Sequence, residues 1–198
     1  MKLLLSSCGF ENPKVREEFL TLFDDDVSKK KVIFLHTSRG FRKEFITGME
    51  KDWTSMGFEL KNLNFVNMDE SVSSLDFDVV CVCGGNTFYI LDKMRKIGAC
   101  DVIKEAVING AVYVGISAGS IIAGPSIGIA GIGDGDVNDI ELKDLTGLGL
   151  MEKIISPHYI EEEREEIKVY EEENDKKVIP LKDCEALLID GEEEKLIK

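Results

Sequence analysis

Apolar residues recur along this chain in two patterns, short β-branched runs and stretches at helical spacing, and the two alternate. Lys2 to Ser7 reads as a first strand, closed by Cys8-Gly9. Lys14 to Phe23 then sets Val15, Phe19, Leu22 and Phe23 at helical spacing. Lys31 to Leu35 is a second buried strand. Phe41 to Met56 is a helix with Phe45, Met49 and Trp53 at four-residue intervals, stopped by Gly57 and followed by a third strand from Phe58 to Leu63. Asp78 to Cys83 is a fourth strand, with helices from Phe88 to Lys96 and from Asp101 to Asn109 before the fifth, Val112 to Ile116. Gly124 to Gly135 breaks the rhythm and reads as irregular strand and loop crossing the sheet edge. Lys153 to Ser156 is a short strand, Ile160 to Glu173 a charged helix, and Val178 to Leu181, Glu185 to Asp190 and Lys195 to Ile197 short strands, the last two around a turn at Gly191. Strands alternating with helices at these lengths predict a three-layer α/β fold, a mainly parallel sheet with helices on both faces. No repeat or linker divides it, so residues 1–198 are expected to form a single domain.

The fifth strand runs into Gly115-Ile116-Ser117-Ala118-Gly119, which fits the G-x-S-x-G nucleophile elbow. A serine on so tight a strand-to-helix turn needs small neighbours two residues away on either side. The following helix would aim its unpaired N–H groups and positive dipole end at the place where an oxyanion forms. A glycine-rich turn of an ordinary α/β protein has the same five letters, so the pentapeptide alone decides nothing. Open α/β sheets bind ligands beyond the carboxyl ends of their strands. Ser117, Gly84-Gly85-Asn86-Thr87 and His36 all stand at such ends. A nucleophilic serine needs a base, and the chain has two histidines, His36 and His158. His36 ends the second strand; His158 follows Ser156-Pro157, where the proline stiffens the turn. Asp134 and Asp136 lie between Ser117 and His158 in sequence, in a loop whose glycines allow a close approach.

Composition narrows the partners. Acidic residues outnumber basic ones by 38 to 24, a formal charge of −14, which disfavours nucleic acids and anionic membranes. The five cysteines are scattered through apolar segments, and Cys81-Val82-Cys83 has no further ligands beside it for a metal. Core thiols of a reducing cytoplasm are the expected state. The apolar part of the N-terminus is too short for a signal peptide, and no segment approaches a membrane span. A cytoplasmic location is expected.

Gly84-Gly85-Asn86-Thr87-Phe88, Gly115-Ile116-Ser117-Ala118-Gly119-Ser120 and Pro157-His158-Tyr159 together resemble the three signature blocks of the peptidase E (α-aspartyl dipeptidase) family, which is related to the cyanophycinases. The likeness runs from the first strand to about Tyr159. It implies a fold of the class I glutamine-amidotransferase-like (flavodoxin-like) kind and a cofactor-free, metal-free serine peptidase acting on dipeptides or short peptides. It further implies Ser117 as nucleophile, His158 as general base, and an oxyanion hole from the N–H groups of Gly85 and Ala118. Asn86 and Thr87 would shape that loop and border the substrate. For the acid, the resemblance favours Asp134, with Asp136 close behind and Asp139 third. One departure bears on specificity. Ile160-Glu161-Glu162-Glu163-Arg164-Glu165-Glu166 follows His158 where the family commonly has small polar and aromatic residues. That acidity would repel an Asp-X substrate unless Arg164, Arg39 or Arg42 offsets it, and would suit a free amino group or a basic residue. An esterase or amidase with the same residues, and a non-catalytic binding module on the same fold, are the competing readings. The expected partner is a small peptide, with the protein as monomer or homodimer.

Overall fold

The structure, a computed structural model, describes residues 1–39, 43–70 and 75–198. Gly40, the expected helix start at Phe41, and Arg42 lie outside the described residues. Five strands pair in parallel: β1 (Lys2–Ser6), β2 (Val32–His36), β3 (Leu63–Asn67), β4 (Val79–Val82) and β5 (Val112–Ile116). Strands β6 (Ile154–Ser156) and β7 (Val178–Pro180) form a separate parallel pair. Strands β8 (Ala186–Asp190) and β9 (Glu193–Ile197) extend the main sheet as an antiparallel hairpin, giving the order β3-β2-β4-β5-β1-β8-β9.

The alternation of side chains along the strands divides the core in two. Leu3, Leu5, Val80, Val82 and Tyr113 face one layer, packed by helices α3 (Thr87–Lys96), α4 (Ala99–Ile108) and α5 (Ala118–Ala123). Leu4, Val32, Phe34, Cys81 and Val114 face the other, packed by α1 (Pro13–Leu20) and α2 (Lys43–Ser55). Trp53 of α2 anchors the second layer, its ring 4.9 Å from Phe58 and 5.0 Å from Phe34, centroid to centroid. The mainly parallel sheet with helices on both faces is the one that the apolar pattern predicts.

Two boundaries differ most from that pattern. The third strand begins at Leu63, because Phe58 turns inward onto Trp53 and residues 60–62 form a 3-10 turn. The charged helix α6 (Arg164–Asn174) begins after a 3-10 turn at Glu161–Glu163, and only Ile167 of it is buried. The Gly124–Gly135 stretch holds a short 3-10 helix at Gly128–Gly131 and an isolated bridge between Ser126 and Thr146.

The direction of β8 brings a distant part of the chain to the functional edge of the sheet. The parallel strands end at that edge, and β8, running oppositely, starts there. Ser6 pairs with Ala186, and the Ser7 N–H donates to Glu185 O at 3.2 Å. The residues just ahead of β8 therefore meet the carboxyl ends of β1 and β5. No helix among the described residues is long and apolar enough to cross a membrane.

Candidate active site

Ser117 sits between β5 and α5 with φ 52° and ψ −112°, a conformation L-residues seldom adopt. Its neighbours enforce it. A Cβ on Gly115 would lie 2.7 Å from the Gly119 carbonyl, and one on Gly119 would run into Val82 O. The Ser117 N–H donates to Ser6 O at 2.9 Å, and the buried Ser120 hydroxyl donates to Ser6 O and Gly115 O, both at 2.8 Å. These bonds tie the turn to β1. Strand β5 and the strained turn form the elbow that the sequence predicts.

His158 follows β6, also at positive φ (59°), and its N–H donates to the Ser7 hydroxyl at 3.2 Å. Its Nε2 lies 2.9 Å from Ser117 Oγ. Its Nδ1 lies 2.7 Å from Asp183 Oδ1. With the ring proton on Nδ1 facing the carboxylate, Nε2 keeps a lone pair for the serine proton. Asp183 carries a carboxyl held below the usual range, first by the His158 hydrogen bond and then by the Cys8 thiol, which donates to the same oxygen at 3.3 Å. Of the five non-glycine residues with positive φ among those described, Ser117, His158 and Cys184 all belong to or adjoin this chain of hydrogen bonds. Strain of that kind persists only where surrounding structure enforces it, and it gathers at functional sites.

The acid is the correction to the sequence reading. Asp134 was expected at His158 Nδ1, but Asp183 is there. Asp134 is an exposed residue of the cleft rim. Asp136 accepts from both the N–H and the hydroxyl of Thr87, at 2.7 and 2.6 Å. Asp139 pairs with Arg39 at 2.9 Å. His36, the other candidate base, ends β2 in register with Asn67 and is buried there. Asp183 lies in the turn before β8 and carried one sequence signal. Were the strand after it antiparallel to the first, its start would stand at the site.

The Gly84-Gly85-Asn86-Thr87 loop faces Ser117 from β4. Gly85 has φ +139°, which a side chain would strain, and a Cβ on Gly84 would come within 3.3 Å of Ser117 Cβ. Asn86 caps α3, accepting from the Tyr89 N–H at 3.0 Å, and donates to Val137 O at 2.9 Å. Thr87 is fully buried and bonded to Asp136. Both expected substrate-bordering side chains are thus engaged in holding the loop. Ala118, the other expected oxyanion donor, is the first residue of α5 and buried.

Asp136 consequently acts as the loop's clamp. Asp136→Ala leaves two donors of Thr87 without an acceptor and is expected to cost about 2–3 kcal/mol. Asp136→Asn keeps one acceptor oxygen and should cost less than half as much. Thermal unfolding of the two variants checks the order.

Beside Ser117 lies a cleft of about 360 Å³, bordered by Gly85, Ile129, Asp134, His158 and Glu163. A second hollow of about 380 Å³ opens on the far side of His158 and Gly84, walled by Phe10, Phe45, Met49 and Ile116. Of the arginines named as offsets, Arg39 pairs with Asp139 and stacks 4.0 Å over Tyr89, and Arg164 pairs with Glu161 at 2.8 Å.

A serine on a strained elbow, bonded to a histidine at the carboxyl edge of an α/β sheet, has the form of a serine hydrolase site. The chain belongs to peptidase family S51, whose signature matches residues 3–197, and is a serine-type peptidase. An uncharacterized peptidase of Listeria monocytogenes serovar 1/2a is 28% identical over 181 residues, covering 87% of this chain and 88% of that protein. A protein named peptidase E from Shewanella amazonensis is 39% identical over 106 residues, 50% of this chain and 43% of its own length. Among solved structures, one from Listeria monocytogenes EGD-e, whose name assigns it to peptidase E, superposes with a TM-score of 0.78 at 25% identity, over 100% of this chain and 98% of that one.

Proposed function

We propose that this chain is a cofactor-free exopeptidase that cleaves dipeptides or short peptides through an acyl-enzyme on Ser117. The observation that carries the reading is the continuous hydrogen-bonded run from Ser117 Oγ through the His158 ring to Asp183. In the forward step Ser117 Oγ attacks the scissile carbonyl carbon while His158 Nε2 takes its proton. The carbonyl oxygen, now an anion, is received by the N–H groups of Gly85 and Ala118. Asp183 keeps the Nδ1 proton in place and stabilises the imidazolium. His158 then gives its proton to the leaving amine, the C–N bond breaks, and the acyl group stays on Ser117. Water, deprotonated by His158, attacks the ester and releases the acid.

Asp134 and Glu163 border the cleft beside Ser117. Their charge favours the ammonium group of a short peptide over the acidic side chain of an N-terminal Asp-X substrate. Five unpaired cysteines fit a cytoplasmic location.

The test is intact-protein mass after incubation with a small serine-directed phosphonate. One adduct is expected on the wild type, none on Ser117→Ala, and labelling slowed by more than about 100-fold on His158→Ala. A wild type that stays unlabelled would sink the assignment of an activated serine.

A further inference from the structure

Cys8 takes no part in acyl transfer, yet its thiol stands at the outer end of the same hydrogen-bonded run. Its Sγ, a ring nitrogen of His158 and a carboxylate oxygen of Asp183 all lie within 4.8 Å of one another, and it is Nδ1 that faces the carboxylate. Ligand atoms around a tetrahedral ion with bonds near 2.1 Å sit about 3.4 Å apart. Here Sγ to Oδ1 is 3.3 Å and Nδ1 to Oδ1 is 2.7 Å, so small side-chain rotations would bring three donors onto one ion. Both His158 and Asp183 are open to solvent, at 49% and 68% side-chain exposure, which leaves an entry path and room for water as a fourth ligand.

We propose that Cys8, His158 and Asp183 bind a thiophilic divalent cation of the Zn²⁺ class, and that this binding switches the peptidase off. The donor set selects the ion: thiolate with imidazole suits Zn²⁺ and its soft neighbours, and not Mg²⁺ or Ca²⁺. Burial pushes the Cys8 thiol up to about 11, reinforced by the carboxylates of Asp183 and Glu11. The same shift makes the thiol a poor thiolate nucleophile, which argues against a peroxide-driven switch at this position.

The inhibition follows from the tautomer. In the working enzyme the ring proton is on Nδ1 and the lone pair on Nε2 accepts from Ser117. A metal on Nδ1 uses that nitrogen's lone pair, so the neutral ring must carry its proton on Nε2. Nε2 then has nothing with which to take the serine proton. Binding releases one proton, from Cys8, and moves another between the ring nitrogens; no oxidant or reductant is needed.

The site itself does not depend on the peptidase reading, whereas its inhibitory effect does, and the experiment separates the two. The full chain, kept reduced with a non-chelating phosphine, is titrated with CoCl₂. A thiolate-to-Co²⁺ charge-transfer band is expected in the wild type and in Cys184→Ser. It should be absent from Cys8→Ser and Cys8→Ala, and be erased by equimolar ZnCl₂. No band in the wild type, or a band that survives in both Cys8 variants, overturns the site. In the second arm, phosphonate labelling of Ser117 is followed with and without ZnCl₂, each protein being compared with its own zinc-free rate. Zn²⁺ is expected to slow the wild type at least tenfold more than either Cys8 variant, and MgCl₂ to slow neither. Equal slowing of wild type and variants overturns the switch. A wild type that is unlabelled even without metal refutes the peptidase reading, and the cobalt band still decides the site.

Discussion

Asp183→Asn is expected to lower kcat by about 10³-fold with little change in KM, whereas Asp134→Asn should leave kcat in place and raise KM by about two- to fivefold. The two substitutions remove the same charge, one at His158 Nδ1 and the other at the cleft rim, so their contrast reports position. Asp183 faces His158 Nδ1 at 2.7 Å and interacts most strongly with the imidazolium, a species that exists only once the serine proton has moved. Losing it therefore weakens the transition state more than the bound substrate. Triad acids in buried sites are worth about 10⁴-fold. Asp183 has a side chain 68% exposed, so water screens the pair and the lower figure applies. Under the proposed function Asp134 meets the substrate's ammonium before and during reaction alike, which is uniform binding and appears in KM. Steady-state kinetics on a short peptide, with unfolding temperatures to show that both variants are folded, checks the contrast. A kcat loss on Asp134→Asn with a near-normal Asp183→Asn would overturn the assignment of the acid.

The second large effect is on stability. Gly119→Ala is expected to cost at least about 3 kcal/mol, above the usual range for overpacking. The added carbon would be driven into the Val82 carbonyl, which belongs to a central strand paired on both sides and cannot move away. At this chain length such a loss lowers the unfolding temperature by roughly 6–12 °C. Gly48→Ala makes the control: a Cβ there meets nothing within 4 Å, and in mid-helix α2 alanine is the better helix former. Differential scanning calorimetry of the two variants should show shifts of opposite sign.

The sequence made some parts of this molecule legible and concealed others, for reasons that differ by element. Strands β2 and β4 are buried along their whole length and announce themselves as apolar runs. The elbow was legible because its steric demand falls on near neighbours, Gly115 and Gly119, and so leaves a local mark. Strand β3, at the sheet edge and only partly buried, contains Asn64 and Asn67 and has no such run. The apolar Phe58 just ahead of it belongs instead to the cluster around Trp53. The carboxylate at His158 Nδ1 was hidden for a third reason. Asp134 lies in a glycine-rich loop between the other two residues in sequence, which makes it the natural choice for one reading along the chain. Asp183 reaches His158 through the pairing of β8 with β1, residues about 180 apart in sequence, and nothing local to Asp183 distinguishes it from the other surface carboxylates.

That long-range pairing also sets when the site can first be complete. Ser117 and His158 are both synthesised before Asp183, and β8 can add to β1 only after that. For a short stretch of synthesis near its end, the chain therefore holds Ser117 and His158 without the carboxylate that faces His158 Nδ1. The hydrogen-bonded run from Ser117 to Asp183 is completed only with the closing of the sheet.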